Sequence, residues 1–127
     1  MTDAYFAGLF DGEGTLRISF NGRQYQLLAS LGMTHQVPVQ GLCDRFGGWI
    51  ELRSNGGTRW RPVYIWRASS SGAMRLIDAI EPFLVVKKPH AEAAREFQSL
   101  MTRKTAMADV HKAQLYERMK ELNKRGI

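Results

Sequence analysis

A chain of 127 residues with a single cysteine builds neither a disulfide framework nor a cysteine zinc site within itself. That cysteine, Cys43, lies between apolar Leu42 and charged Asp44 and reads as an ordinary helix residue. Long apolar runs are missing too. No stretch approaches the roughly 18 uninterrupted apolar residues of a membrane span, and the N-terminus lacks the basic-then-apolar pattern of a secretion signal. These absences predict a soluble intracellular protein with no membrane partner. Linkers and low-complexity segments are also lacking, so residues 1–127 are expected to form one domain around one moderate core. Negative charge is scarce in the middle of the chain. Residues 14–67 hold seven arginines, no lysine, and only Asp44 and Glu51 as acids.

The overall balance is 18 basic residues against 12 acidic, a net +6 with a pI near 9.8, as expected of a polyanion binder. The excess is blocked rather than spread. Residues 1–13 carry Asp3, Asp11 and Glu13 and no basic group, 68–99 are balanced, and 100–127 hold seven basic residues against three acidic. The all-arginine block suits bidentate contact with phosphate or guanine.

Residues 3–12 are expected to be helical, with Thr2 or Asp3 as the cap. Ala4, Gly8 and Gly12 recur every four residues with Ala7 alongside, leaving one helix face almost bare. Each interior glycine costs roughly 0.5–1 kcal/mol relative to alanine, so the face makes sense where another backbone approaches, most simply that of a second copy. Period two follows: Thr15, Arg17, Ser19 and Asn21 alternate with Leu16, Ile18 and Phe20. Beyond a turn at Asn21-Gly22, Gln26, Leu28, Ser30, Gly32 and Thr34 alternate with Leu27, Ala29, Leu31 and Met33, giving a hairpin with one polar face.

A short helix with Val37, Val39, Leu42 and Phe46 closes at Gly47-Gly48. Trp49–Arg53 and Pro62–Ala68 supply two more strands around a loop with Asn55-Gly56-Gly57. In the last strand either Tyr64 and Trp66, or Val63, Ile65 and Arg67, face the core. Three helical segments end the chain. One carries Ala73, Leu76, Ile77, Ile80 and Leu84, with Pro82 in its final turn, and one opens at Pro89 and runs to about Lys104. The last covers about 107–123, with Val110, Leu115, Met119 and Leu122 facing inward. The predicted order is α-ββ-α-ββ-α-α-α, an α+β fold.

Within this frame, Phe6-Ala7-Gly8-Leu9-Phe10-Asp11-Gly12-Glu13-Gly14 resembles the motif that names the LAGLIDADG homing endonucleases, with Phe6 for the leading leucine and Glu13 for the second aspartate. The segment Ile80-Glu81-Pro82-Phe83-Leu84-Val85-Val86-Lys87-Lys88-Pro89-His90-Ala91 and the closing Leu122-Asn123-Lys124-Arg125-Gly126 are similar to family segments as well. The resemblance implies an αββαββα domain with additional C-terminal helices, whose antiparallel sheet forms a DNA-binding saddle. It further implies a homodimer that makes double-strand breaks at a long pseudo-palindromic site in double-stranded DNA with Mg²⁺ or Mn²⁺.

On this resemblance Glu13 is the metal ligand and catalytic acid group, and Ala4, Ala7, Gly8, Asp11 and Gly12 form the dimer interface, with Asp11 in a structural role. Lys87 falls where relatives carry a lysine that polarises phosphate or orients water. His35 falls where they often hold water with a glutamine, a task a histidine performs either by holding that water or as a base. Val37 and Val39 stand where relatives carry a further basic residue. His90 and His111 are expected on helix surfaces. For DNA the candidates are Arg17, Ser19, Asn21, Gln26, Ser30, Glu51 and Arg53 on the outward strand faces, with Arg23, Arg59 and Arg61 near the loop ends. Trp49 and Trp66 are expected in the core or at its rim. The second reading is a binding module of the same fold that does not cut, an RNA maturase or a DNA-binding regulator. The third is a basic scaffold that only dimerises.

Overall fold

The computed structural model describes residues 1–54 and 61–124. The elements in chain order are α1 (Asp3–Glu13), β1 (Gly14–Phe20), β2 (Tyr25–Met33), α2 (Gln36–Phe46), β3 (Trp49–Arg53), β4 (Val63–Ser69), α3 (Ser71–Ile80), a 3₁₀ turn at Glu81–Phe83, α4 (Lys88–Ser99) and α5 (Ala106–Lys124). The strands form one antiparallel sheet in the order β1-β2-β4-β3.

Local signals start and stop these elements. Thr2 caps α1, its hydroxyl accepting from the Tyr5 N–H at 3.1 Å. Asn21 builds the β1–β2 turn, its side-chain oxygen accepting from the N–H groups of Arg23 (2.9 Å) and Gln24 (2.8 Å). After α2 the chain passes through Gly47 and Gly48, both at positive φ, and the Gly47 carbonyl accepts from the Trp66 indole at 2.8 Å. Helix α4 stops at Ser99, five residues short of the expected Lys104. There Leu100 and Met101 donate to Phe97 and Gln98, tightening the last turn before Thr105 caps α5 through the Ala108 N–H.

Register assigns the two sheet faces. Leu16, Ile18, Leu27, Ala29, Leu31, Trp66 and Ala68 look into the core, where they meet Phe6 and Phe10 of α1, Leu42 and Phe46 of α2, Leu76, Ile77 and Ile80 of α3, Phe97 of α4, and Leu115 and Met119 of α5. The phase of β4 is thereby settled: Trp66 is fully buried, and Val63, Ile65 and Arg67 share the opposite face with Arg17, Ser19, Gln26, Ser30, Trp49, Glu51 and Arg53. Helix α5 runs along the β1 edge, where Asn123 donates to the Leu16 carbonyl at 3.0 Å and so satisfies an edge group.

Three expected core residues lie outside it, among them Val37, which is 62% exposed because α2 buries the face of Pro38, Val39, Leu42 and Phe46. Val110 is exposed because α5 buries the face of Ala108, Leu115 and Met119, about 200° around the helix from it. Phe20 is 44% exposed at the end of β1, where it stacks on Tyr25 with ring centroids 4.4 Å apart and lies 6.3 Å from the Tyr116 ring of α5.

Candidate active site and sheet face

Helix α1 turns Phe6, Ala7 and Phe10 into the core and leaves Ala4, Gly8 and Gly12 exposed. A Cβ added at Gly8 or Gly12 would meet nothing within 4 Å, so among the described residues these two positions of the stripe pack against nothing. Ala7, expected at a dimer interface, is fully buried in its own core and is removed from that set. Spacing explains the correction: Ala7 lies three residues before Phe10 and one after Phe6, on the inward face.

The helix ends at Glu13, and Gly14 begins β1 at once. A side chain on Gly14 would overlap the Phe10 ring, so the tight passage from helix to strand admits only glycine without rearrangement. Glu13 is exposed, and its carboxylate has no hydrogen bond or ion pair among the described residues.

Two residues earlier, Asp11 is fully engaged. Its carboxylate accepts from the backbone N–H groups of Val85 (2.8 Å), Val86 (3.1 Å) and Lys87 (2.9 Å), and its own carbonyl accepts from Lys87 Nζ at 2.9 Å. Asp11 thus holds the segment that enters α4 and delivers Lys87 beside the end of α1. Lys87 is 4% exposed, whereas Lys88 is in solvent. Desolvation pushes the Lys87 ammonium below the usual lysine range, and the fields of Asp11 and Glu13 oppose that shift.

His35 is exposed at the start of α2 and makes no capping bond. It stands four residues beyond Leu31, the β2 partner of Gly14, so it lies at the same end of the sheet as Glu13. His90 is a correction. It is 1% exposed rather than on a helix surface, because the C-terminal turn of α5 covers the first turn of α4. The ring approaches Asn123 and the Leu122 backbone without forming a well-directed hydrogen bond. His111 does sit at the surface, 2.9 Å from Glu96.

Burial, helped by the nearby Lys87 charge, holds the His90 imidazole below its ordinary range near 6.5. A histidine neutral in the fold but protonated when unfolded contributes stability that is complete above that ordinary value and falls as pH drops through it toward the depressed one. Urea midpoints are therefore expected to decline between pH 7.5 and 5, and the decline to be shallower in His90→Gln. Parallel profiles for the two proteins would show that His90 does not set it.

On the open face, Arg17, Gln26 and Arg53 are exposed, and Arg23 and Arg61 flank it in solvent. Ser19 donates to the Gln26 carbonyl at 3.4 Å, and Ser30 is half-buried opposite Arg67. Glu51 is occupied, accepting from the Trp49 indole at 3.2 Å and pairing with Arg67 at 3.3 Å. Arg59 lies outside the described residues. Trp49, expected in the core or at its rim, is 44% exposed on this face, and Arg67, one of the two alternatives for the core side of its strand, lies opposite it, because the β3–β4 register turns both away from the helices. Among the described residues no group of three His, Cys, Asp or Glu side chains gathers to hold a metal, and no helix is long and apolar enough to cross a membrane.

An α+β domain whose bare first helix delivers an acid to the rim of an open, arginine-bearing sheet has the fold of the LAGLIDADG homing endonucleases. The chain superposes on the archaeal intron-encoded homing endonuclease I-Vdi141I complexed with DNA with a TM-score of 0.79, over 94% of this chain and 82% of that one, at 15% identity. For homing endonuclease I-CvuI, in complex with DNA in the presence of magnesium, the TM-score is 0.82 over 94% and 80% at 14% identity. For the LAGLIDADG meganuclease I-AabMI bound to uncleaved DNA it is 0.73 over 91% of this chain but only 44% of that one, at 17% identity. No model of a protein family and no curated protein matches the sequence.

Proposed function

We propose that this protein is a site-specific DNA endonuclease that acts as a homodimer and makes double-strand breaks with divalent metal. The observation that carries the reading is the unpartnered Glu13 carboxylate, set at the end of a bare helix beside the buried Lys87. Two copies meeting along Ala4, Gly8 and Gly12 bring two such carboxylates to one axis, one for each strand of a duplex. The match to only 44% of the DNA-bound meganuclease I-AabMI leaves room in that longer chain for a second unit of this size, in keeping with a pair of copies here.

The residues present fit Mg²⁺ or Mn²⁺. A hard cation commonly takes one or two carboxylates and completes its shell with substrate phosphate and water, so a free Glu13 from each copy is a sufficient protein contribution. When bound, the metal activates water and neutralises charge on the phosphate and leaving oxygen. Lys87, fixed by Asp11, supplies a cation that already stands where negative charge grows on the phosphate, without having to reorganise. His35, exposed at the same rim, orients the attacking water or takes its proton. The sheet face lies in the major groove, with Arg17, Arg23, Arg53 and Arg61 on phosphates and base edges and Ser19, Gln26 and Ser30 among the polar contacts. Asn21, whose oxygen is committed to its own turn, acts by presenting Arg23.

The test is incubation with Mg²⁺ and a plasmid that carries the insertion site of the encoding element. Double-strand breaks at one locus are expected. Binding without breaks under every divalent metal, or preference for structured RNA, replaces this reading with the non-cutting binding module.

The dimer has its own check. Because a side chain at Gly8 meets open space in one chain, Gly8→Val leaves the monomer folded and acts only where two helices touch. Overpacking of about 1–3 kcal/mol per copy is expected to weaken dimerisation by about two orders of magnitude. Sedimentation velocity at matched concentrations reads this. A dimer of unchanged affinity would place the contact elsewhere.

A further inference from the structure

Glu51 stands among the arginines of the open face, where an acid pointed at a polyanion is repelled unless it serves another group. Its Oε1 accepts from the Trp49 indole at 3.2 Å and lies 3.3 Å from Arg67 Nε, so one oxygen ties the two residues together. Trp49 and Glu51 are alternate residues of the edge strand β3, and Arg67 is opposite Trp49 on the central strand β4, flanked on its other side by Ser30. The Trp49 hydrogen bond, with the Arg67 charge, holds the Glu51 carboxyl below its ordinary range despite some desolvation, and it is ionised at neutral pH.

Arg67 differs from the other arginines of this face. Arg17, Arg23 and Arg61 are exposed and have no acidic partner among the described residues, as suits phosphate contacts. In Arg67 the Nε atom is shut off from solvent and makes no well-directed hydrogen bond, but it lies in an ion pair 3.3 Å from Glu51, while Nη1 and Nη2 have no protein partner among the described residues. A guanidinium held by its Nε side keeps two parallel donors in a fixed fork, the complement of guanine O6 and N7. Its seat in the middle of the sheet faces base edges rather than the backbone at the rim.

We propose that Arg67 reads a guanine in each half of the DNA site, and that Glu51, locked by Trp49, is its positioning residue and not itself a DNA contact. This rests on the DNA-endonuclease reading above. It identifies the base that one element of the surface selects.

The experiment is selection from a pool of randomised duplexes without magnesium, by the wild-type protein, Arg67→Lys and Glu51→Gln, followed by sequencing and affinity measurement on single-base variants. Arg67→Lys keeps the charge and most of the stem, so the strand is retained while the fork is lost. The wild type is expected to prefer guanine at one position per half-site by about tenfold to a hundredfold. Both variants are expected to bring that position within about threefold of indifference and to leave the remaining preferences intact. A guanine preference that survives Arg67→Lys overturns the assignment. So does a Glu51→Gln protein that loses preference for a cytosine instead, because Glu51 would then be the contact. A wild type that selects no sequence at all sinks the DNA reading and this one with it, whereas a sharp wild-type consensus unchanged in Arg67→Lys sinks only the latter.

Discussion

Glu13→Gln is expected to slow double-strand cleavage by about a thousandfold or more while duplex binding stays at least as tight. The side chain is exposed and bonded to nothing among the described residues, so exchanging a carboxylate for an amide of the same shape removes no intramolecular contact. The urea midpoint should therefore remain that of the wild type. On the proposed function, the loss is a negatively charged oxygen ligand at the end of the bare helix, and with it the protein's hold on a hard cation; several kcal/mol of transition-state stabilisation corresponds to roughly three orders of magnitude in rate. Binding moves the other way, because the net charge rises by one from +6 and an acid is removed from the DNA side. Single-turnover cleavage and gel-shift titration in the same buffer separate the effects. Cleavage within tenfold of wild type would mean that Glu13 is not the metal-holding group, whatever the fold.

Much of this arrangement is legible in the sequence where one face of an element is wet. The alternation in β1 and β2 is plain because Leu16, Ile18, Leu27, Ala29 and Leu31 are buried and their neighbours are not. Strand β4 is silent because both its faces are covered. Ile65 on the open face is 9% exposed between Gly32 and Glu51, and Trp66 on the inner face is fully buried, so hydrophobicity alone carries no phase.

Long-range packing explains the other differences. His90 is three residues from Lys87 on an amphipathic segment, and nothing local reveals that α5, more than thirty residues on, closes over it. The Glu51–Arg67 pair depends on the register between β3 and β4, which strand patterns leave undetermined. Lys87 and Lys88 are indistinguishable as adjacent lysines until Asp11 selects one of them.

Asp11→Ala is expected to destabilise the protein by about 2–4 kcal/mol and to lower activity further than the unfolded fraction accounts for. Three backbone donors converge on this one carboxylate, and hydrogen bonds to a charged group contribute about 1.5–3 kcal/mol each when fully sheltered. Val85 and Val86 are exposed and regain water once the carboxylate is gone, which discounts two of the three. The Lys87 N–H is sheltered and keeps its cost. Asp11→Asn retains one accepting oxygen and should lose about half as much. The functional loss has a separate origin: with the 85–87 segment released, the Lys87 ammonium no longer has a fixed place beside the end of α1. Denaturation midpoints and cleavage rates of the two variants, measured where both are folded, distinguish this from direct metal binding by Asp11. A positioning role makes stability and rate fall together, with Asn between Asp and Ala in each. A ligand role would instead abolish cleavage in Asp11→Asn at nearly unchanged stability, and that result would move Asp11 from the scaffold into the chemistry.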